Sequence, residues 1–212
     1  MRRWPVVLLL MLLAGGSGAA PRQVLIDNFE RGLDSEWTVK SFRGATSYQV
    51  VAEAGGHVLQ AESHGTASGL VRKLDLDPRE HPVLSWRWKV AGTIPAGDER
   101  TRAGDDYAAR VYVIFPHWFF VKTRTLNYIW ANHLAKGAIL PNAYTANAIM
   151  IAVESGPAHA GQWLTERRDI VADYRLAFGE EPPRIGAIAI MTDTDNTGAV
   201  AIAWYDDLML TR

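Results

Sequence analysis

The chain has 212 residues, of which 48% are hydrophobic and 21% are charged, with 22 Lys and Arg against 23 Asp and Glu. This composition is typical of a globular protein and excludes a disordered or collagen-like chain. The near balance of charge argues against nucleic-acid binding, which needs a basic surface. Because the sequence has no cysteine, disulfides, thiol catalysis and cysteine-ligated zinc are also excluded.

Residues 1–19 are predicted to be a secretory signal peptide. Two arginines precede an apolar run from Val6 to Leu13, and small residues follow this run up to Ala19. This order is typical of export signals, with a retained N-terminal anchor as the alternative. No later apolar run reaches the roughly 18 residues that a membrane helix needs. We therefore expect a periplasmic or secreted protein in which residues 20–212 form one domain.

Strand-like segments separated by Gly, Pro, Asp and Asn dominate the mature chain. The alternation is clearest where Trp86 and Trp88 share one face of a strand and Arg87 and Lys89 share the other, as expected for a strand packed on a core. Strands are predicted at Val24–Phe29, Tyr48–Ala52, His57–Ala61, Gly69–Leu74, Val83–Val90, Ala108–Phe115, Leu126–Ala131, Ala148–Ser155, Trp163–Arg168, Ile185–Thr192 and Val200–Leu210.

One helix is predicted, over Val171–Phe178. Asp169 is a suitable N-cap, and Gly179 ends the helix before two prolines. In the last strand, Val200–Leu210, we expect Trp204 to share the core-facing side with aliphatic residues. These elements predict a single-domain antiparallel β-sandwich of jelly-roll type with one short helix.

Two long connections, Ala91–Tyr107 and Asn132–Asn147, are the first places to look for function, since loops beyond about 12 residues in a compact domain are usually functional or mobile. Between them, the segment Phe115–Trp130 is dense in aromatic residues. Rings on an open face beside basic side chains would make a surface for a polysaccharide, including an anionic one, whereas most rings would otherwise line the core. The candidate ligand-binding residues are Arg87, Lys89, Arg110, Tyr112, Trp118 and Trp130.

Carboxylates between the last two predicted strands are candidates for a structural calcium site. Asp193 and Asp195 occupy alternate positions before a glycine, as at the start of a calcium loop, because hard cations prefer several oxygen ligands. Thr197 stands where that loop usually carries Asp or Asn. A hairpin turn using Asn196 and Gly198 is the alternative.

The two ends of the domain carry a resemblance to a known fold. The segments Leu25–Glu30 and Trp204–Leu210 resemble the first and last strands of carbohydrate-binding jelly rolls of the galactose-binding type. The resemblance implies that these strands lie close together and that their acidic side chains hold a calcium ion. Local capping or ion pairing with arginine is the alternative. The implied metal ligands are Asp27, Glu30, Asp206 and Asp207.

A polysaccharide-active enzyme, either a glycoside hydrolase or a lyase, is an alternative function. Its acid and base carboxylates must lie roughly 5 to 9.5 Å apart, a distance that only the fold can supply. The sequence contains none of the nucleophile-elbow, zinc-protease, P-loop or dinucleotide motifs. The candidate catalytic carboxylates are Asp105, Asp106, Glu154 and Asp206.

Motifs spread over nearly the whole mature chain carry a second resemblance. They are Trp86–Lys89, Gly104–Tyr112, Leu126–Asn132, Gly161–Trp163, Asp173–Tyr174, Phe178–Gly179 and Met191–Gly198. With these motifs the chain resembles the bacterial family known as domain of unknown function 3047. The resemblance implies an exported protein of Gram-negative-type bacteria with a β-sandwich fold, and it implies no activity or site residues.

The leading functional hypothesis is an exported module that binds a cell-envelope or environmental polysaccharide. It rests on the predicted export, the terminal strands and the mixture of aromatic and basic residues. A scaffold whose open face binds a protein partner is the other alternative. Trp86, Trp88 and Trp204 are predicted to lie in the core. The tryptophans left open between packing and binding are Trp37, Trp118, Trp130 and Trp163.

Overall fold

The computed structural model describes residues 23–53 and 55–212, so the predicted signal peptide lies outside the described residues. Thirteen strands in these residues form two sheets. The six-stranded sheet contains β1 (Gln23–Asp27), β3 (Ser47–Glu53), β4 (Gly56–His64), β6 (Val83–Val90), β11 (Leu164–Asp169) and β13 (Val200–Thr211). The seven-stranded sheet contains β2 (Trp37–Arg43), β5 (Ala67–Leu76), β7 (Tyr107–Phe115), β8 (Arg124–Ala131), β9 (Ile139–Pro141), β10 (Ala148–Ser155) and β12 (Ile185–Asp193).

The strand order is β11-β6-β13-β4-β3 in one sheet, with β1 beside β13, and β2-β5-β12-β7-β8-β10-β9 in the other. The prediction of a β-sandwich is confirmed. Neighbouring described strands are antiparallel except β8 and β10, which are parallel, so the expectation of a purely antiparallel sandwich needs this correction. The physical reason is the long connection between these two strands. It carries the chain back through β9, so that β10 starts at the same end of the sheet as β8.

The core lies between the two sheets and is rich in aromatic rings. Trp86 and Trp88 point inward from β6 and are fully buried, as the alternation predicts. The ring of Trp86 stacks on Tyr128 at 5.3 Å between centroids, and the ring of Trp88 lies 5.7 Å from that of Trp130. Such pairs stabilise a core beyond the area they bury. Tryptophan packing between the sheets thus supplies stability in a chain without disulfides.

Strand β13 changes its phase part-way along. Asp207 has a φ of +50°, and the pairing with β6 shifts in register at this point. Such a bulge moves the following side chains to the other face of the strand. Ala203 and Tyr205 therefore face the core before the bulge and Leu208 faces it afterwards. The prediction of a core Trp204 is wrong, because its ring lies on the outer face, 4.4 Å from the Nζ of Lys89.

The predicted helix is present as α1, Ile170–Phe178. The Asp169 carboxylate accepts a hydrogen bond from the N–H of Ala172, and Gly179 ends the helix in the left-handed conformation. Short 3-10 turns occur at Arg102–Gly104 and Phe120–Lys122.

The first and last described strands, β1 and β13, pair side by side, as the resemblance of the terminal segments implies. Across residues 23–53 and 55–212, none of the helices combines the length and the apolar character that crossing a bilayer requires.

Candidate functional site

A groove crosses the outer face of the seven-stranded sheet, the face turned away from the core. It consists of two adjoining cavities, an apolar half of about 550 Å³ and a polar half of about 420 Å³. Ligand sites in proteins commonly have volumes of about 300 to 1,000 Å³. The two halves share Phe42, Tyr112, Ala148 and Met191 as lining residues, so they form one continuous surface.

The floor of the apolar half is made by alternate, outward-pointing residues of neighbouring strands. Tyr112 and Ile114 come from β7, and Ala189 comes from β12. Gly69 of β5 also lines this floor and has no side chain to fill it. A Cβ atom at this position would lie only 3.2 Å from the carbonyl oxygen of Ile190. Small residues between larger ones give the groove its depth.

The walls of the apolar half come from an edge strand and two loops. Lys40 and Phe42 of β2 form one wall. The other wall contains Val121 and Asn147, which are tied together by a hydrogen bond of 2.7 Å from the Asn147 side-chain amide to the Val121 carbonyl. The groove therefore lies between β2 and the loops that flank β8.

A buried ion pair organises the polar half. Arg110 points outward from β7 and donates hydrogen bonds to both carboxylate oxygens of Asp193, the first of them at 2.8 Å. Its guanidinium also lies 3.9 Å from the Asp105 carboxylate and stacks 4.2 Å from the ring centre of Tyr107. The side chains of Arg110, Asp193 and Asp105 are all less than a tenth exposed. Burial of this kind is tolerated because the charges are paired.

Three carboxylates meet beside this ion pair. Oxygens of Asp106, Asp193 and Asp195 lie within 4.8 Å of one another, and this buried acidic cluster could hold an ion. Asp106 also accepts hydrogen bonds from the backbone N–H groups of Asn196 and Thr197, at 3.1 and 2.6 Å. Burial raises the pKa of Asp195, and the charge of Asp106 raises it further.

The turn that carries Asp195 is not a hairpin. The strand before it, β12, belongs to the seven-stranded sheet, and the strand after it, β13, belongs to the six-stranded sheet. The alternative prediction of a hairpin turn at Asn196 and Gly198 is therefore wrong. The turn connects the two sheets and brings its carboxylates to the end of the groove.

Both long connections border the polar half. The Asn142 side-chain amide donates to the Asp105 carboxylate at 2.8 Å. The Tyr144 hydroxyl donates to the Arg102 carbonyl at 3.3 Å and accepts from the Asn196 side-chain amide at 2.9 Å. These bonds join the two long connections to the turn between β12 and β13, and together they hold the polar end of the groove in place.

One buried polar atom of a residue that lines this half has no hydrogen-bond partner. Asn127 of β8 is 2% exposed, and its Oδ1 has no hydrogen-bond partner among the described residues. Tyr112, its neighbour across the strand pair, is half-buried, and burial raises the pKa of the Tyr112 hydroxyl. The hydroxyl is therefore neutral at physiological pH and can act as a donor or an acceptor.

A family model described as "Protein of unknown function (DUF3047)" matches residues 35–209. The chain belongs to this family. None of the curated proteins matches it. Among solved structures, it resembles the family 30 carbohydrate-binding module of a cellulosomal cellulase of Clostridium thermocellum with a TM-score of 0.50, at 11% identity over 90% of this chain and 97% of the module. This likeness shows the β-sandwich fold.

Two further structures are similar at lower scores. A cellulose-induced protein has a TM-score of 0.48 and 10% identity, over 86% of this chain and 95% of that protein. A family 29 carbohydrate-binding module in complex with mannohexaose has a TM-score of 0.46 and 10% identity, over 91% of this chain and 92% of the module.

In this DUF3047 protein, the predicted ligand-binding residues do not form one surface. Arg110 and Tyr112 line the groove. Trp130 is fully buried between the sheets, where its indole N–H donates to the Gly156 carbonyl, so the prediction that it contributes to a binding surface is wrong. Trp118 is 83% exposed on a loop and does not line the groove.

Arg87 and Lys89, also predicted to bind ligand, lie on the outer face of the opposite sheet. Arg87 is paired with Asp206 and Asp207, and Lys89 is paired with Glu53. The reason is the strand assignment, since β6 belongs to the six-stranded sheet and β7 to the seven-stranded sheet. Their positive charges are already neutralised by neighbouring carboxylates.

The structure also locates Trp37 and Trp163, the two other tryptophans that the sequence left undecided between packing and binding. Trp37 is buried, and its indole N–H donates to the Asp27 carboxylate at 2.7 Å. Trp163 lies half-buried on the outer face of the six-stranded sheet, with Arg87 and Lys89 each 5.1 Å from its ring centre. Packing and a hydrogen bond account for Trp37, whereas Trp163 also lines a polar cavity together with Arg87.

The predicted catalytic carboxylates are dispersed. Asp105 lines the groove, with Asp106 beside it, and Asp206 lines a separate polar cavity of about 360 Å³ on the opposite sheet. Glu154 lines neither cavity and pairs with Lys136 at 3.0 Å and His159 at 3.4 Å. Burial raises the pKa of Glu154, but the Ser155 N–H and Lys136 outweigh this effect and leave the pKa lowered. An acid and a base are not brought together from this set.

The metal group implied at the ends of the domain is brought together only in part, since Glu30, Asp206 and Asp207 line one polar cavity and Asp27 does not. Asp27 holds the Trp37 indole and the Phe29 N–H, and Glu30 accepts a hydrogen bond of 3.2 Å from the His57 N–H. Within residues 23–53 and 55–212, the one group of three or more carboxylates or imidazoles close enough for an ion is Asp106, Asp193 and Asp195. The alternative of capping and ion pairing accounts for the terminal carboxylates.

Several groove residues were missed from the sequence. Asn127 lies on the opposite side of β8 from the core residues Leu126 and Tyr128, and strand alternation alone could have placed it there. Phe42 and Ala189 gave no such signal. Phe42 belongs to a strand without a regular pattern, and alanine in a buried strand looks like any core residue.

Proposed function

We propose that this DUF3047 protein is an exported glycan-binding module whose groove holds a polysaccharide. The observation that carries the proposal is the continuity of the apolar and polar halves of the groove. Sugars present apolar C–H faces, which pack on surfaces such as Phe42 and Tyr112, and hydroxyl groups, which need polar partners such as those of the polar half. The family 30 module, which has a similar fold, is a carbohydrate-binding module, and this supports the proposal.

The charge of the polar half favours a neutral polysaccharide. Four carboxylates, those of Asp105, Asp106, Asp193 and Asp195, outnumber the two guanidinium groups beside them, those of Arg110 and Arg43. These carboxylates repel an anionic sugar more strongly than the two arginines attract it. The anionic ligands considered from the sequence therefore fit the groove less well than neutral glucans or mannans do.

Binding is favoured over catalysis because the candidate carboxylates lie apart or are held by protein donors. Asp105 is held by the Asn142 amide, and Asp106 is held by the N–H groups of Asn196 and Thr197. Asp105 and Asp206 are on opposite sheets, and Glu154 is already paired with Lys136. A hydrolase needs two facing carboxylates across the bond that it cleaves. A protein-binding scaffold would use an exposed apolar patch rather than a groove, and its mark would be one partner that co-purifies with the protein.

Ala189→Trp is expected to weaken glycan binding strongly, because an indole on the floor of the apolar half fills the space that a sugar would occupy. The measurement is affinity electrophoresis in gels that contain soluble neutral glucans or mannans, followed by calorimetry with oligosaccharides. We expect the variant to bind at least about tenfold more weakly than the natural protein.

The matched control is Ile202→Trp, which adds the same ring to the outer face of the opposite sheet. It should bind as the natural protein does. Retention of Ala189→Trp equal to that of the control, or no retention of the natural protein by any neutral polysaccharide, contradicts the proposal.

We further propose that the acidic cluster of Asp106, Asp193 and Asp195 binds calcium weakly. Because the folded state raises the pKa of Asp195, the protonated form stabilises the fold at low pH and this stabilisation is lost as the pH rises through the raised pKa. A divalent cation would offset the repulsion between these three carboxylates at neutral pH. Asp106 and Asp193 already hold protein donors, which limits the affinity.

Millimolar calcium is therefore expected to raise the melting midpoint at pH 7, and to do so less at pH 4, where a proton takes its place. Asp195→Asn should remove the response and melt higher than the natural protein without calcium. Asp207→Asn, on the opposite sheet, should keep the response. A midpoint that does not change between chelator and millimolar calcium would remove the cation from the proposal.

A further inference from the structure

The unpartnered oxygen of Asn127 lies in the floor of the polar half. Asn127 is 2% exposed, with its Oδ1 itself buried, and the residue lines the groove. A buried amide oxygen without a donor costs free energy, and native proteins pair nearly all such groups. Six buried side-chain atoms of the described residues have no hydrogen-bond partner, and among them only Asn127 Oδ1 belongs to a residue that lines the groove. An unpaired group at such a place is expected where a ligand completes the bond.

The Asn127 side chain hydrogen-bonds with the Tyr112 hydroxyl, which lowers the Tyr112 pKa against the larger effect of burial, but the Asn127 Oδ1 has no donor among the described residues. Of its neighbours in the polar half, the Asn142 amide donates to Asp105, and the Arg110 guanidinium donates to Asp193 and to the Asp105 carbonyl. The Tyr112 hydroxyl lies 3.5 Å from the sulfur of Met191. The Arg110 and Asn142 donors of the polar half are thus engaged with Asp193 and Asp105.

We propose that the Oδ1 of Asn127 accepts a hydrogen bond from a hydroxyl group of the bound glycan and makes Asn127 a specificity-determining residue. This inference rests on the proposed function. Tyr112 stands directly opposite Asn127 in the β7–β8 pair, so the apolar face of its ring and the amide oxygen contact the same sugar unit. The ligand class is a neutral sugar with a free hydroxyl at that position, because an acylated or methylated oxygen has no proton to donate.

A site that is built to pair a buried acceptor rejects an analogue without the donor, since the acceptor is then left unpaired. A monodeoxy sugar at this subsite is therefore expected to bind much more weakly than its parent. The loss should be confined to one hydroxyl position of one sugar unit, because a single atom of the protein reads it.

The test is Asn127→Leu, a substitution of similar size that removes the unpaired oxygen. We expect binding to fall at least about tenfold, while the melting midpoint without ligand stays the same or rises, because the unpaired buried oxygen is removed. With a series of monodeoxy oligosaccharides, the natural protein should discriminate against one position, and the variant should not discriminate there. Asn28→Leu, outside the groove, is the matched control and should match the natural protein in binding and discrimination.

The outcomes separate this inference from the proposed function. If the natural protein binds glycan and Asn127→Leu binds it equally, with the same response to the deoxy series, the inference is overturned while glycan binding stands. A fall in the melting midpoint together with the loss of binding assigns Asn127 a structural role and also overturns it. If the natural protein binds no polysaccharide, the proposed function itself fails and this inference fails with it.

Discussion

Replacing Arg110 by Met is expected to lower the free energy of unfolding by about 3–5 kcal/mol, which is the usual cost of removing one partner of a buried ion pair. The Arg110 side chain is 95% buried, and its guanidinium donates to both oxygens of Asp193. One of its nitrogens also lies 3.9 Å from a carboxylate oxygen of Asp105. Without the guanidinium, two buried carboxylates remain close together without a counter-charge. Denaturant unfolding followed by tryptophan fluorescence measures the effect.

The matched control for this loss is Arg184→Met. Arg184 pairs with Asp75 on the surface, where both side chains are more than half exposed. Because water screens such a pair, we expect a change below about 1 kcal/mol. Equal losses in the two variants would show that burial does not set the strength of the Arg110 interaction.

Trp130→Ala is expected to destabilise the protein by about 3–5 kcal/mol, because it leaves a large cavity between the sheets. The ring is fully buried, packs 5.7 Å from Trp88 and donates a hydrogen bond of 3.1 Å to the Gly156 carbonyl. The same unfolding experiment measures this change. Glycan binding, measured well below the new melting midpoint, should be kept.

Trp118→Ala is the matched control, since it removes the same ring from a site that is 83% exposed. We expect its stability to stay within about 0.5 kcal/mol of the natural protein. A Trp118 variant as unstable as the Trp130 variant, or a Trp130 variant of unchanged stability, would contradict the assignment of these two rings.

Much of the secondary structure follows from local patterns. The strand bounds predicted for Val83–Val90 and Ala148–Ser155 are the observed ones, because one alternates regularly and the other is continuously apolar. The cap residues Asp169 and Gly179 likewise mark the helix to within one residue. Each of these signals acts between residues that are close in sequence.

Two strands were not predictable in this way. In β2, Trp37–Arg43, only the first residue is buried, so this edge strand has no apolar alternation to detect. Strand β9, Ile139–Pro141, has three residues and exists through its pairing with β10. The reversed phase of Trp204 has a similar origin, since the bulge at Asp207 depends on the pairing of β13 with β6.

The groove could be predicted in part. Arg110 and Tyr112 were candidates because they share one side of the predicted strand Ala108–Phe115, and they line the groove as outward-facing neighbours. The meeting of Asp106 with Asp193 and Asp195 was beyond the sequence, because it needs β12 beside β7 and a turn that passes between the sheets.

Composition and strand pattern by themselves determined a β-sandwich with one capped helix, built without disulfides and held by an aromatic core. The tertiary structure alone decided which rings and charges are available to a ligand. A strand pattern of period two shows that Arg87 and Trp88 face opposite ways, and it contains no information about which sheet the strand joins. Long-range pairing placed Arg87 on the outer face of the six-stranded sheet and Arg110 on the outer face of the seven-stranded sheet. It also buried Trp130 between the two sheets.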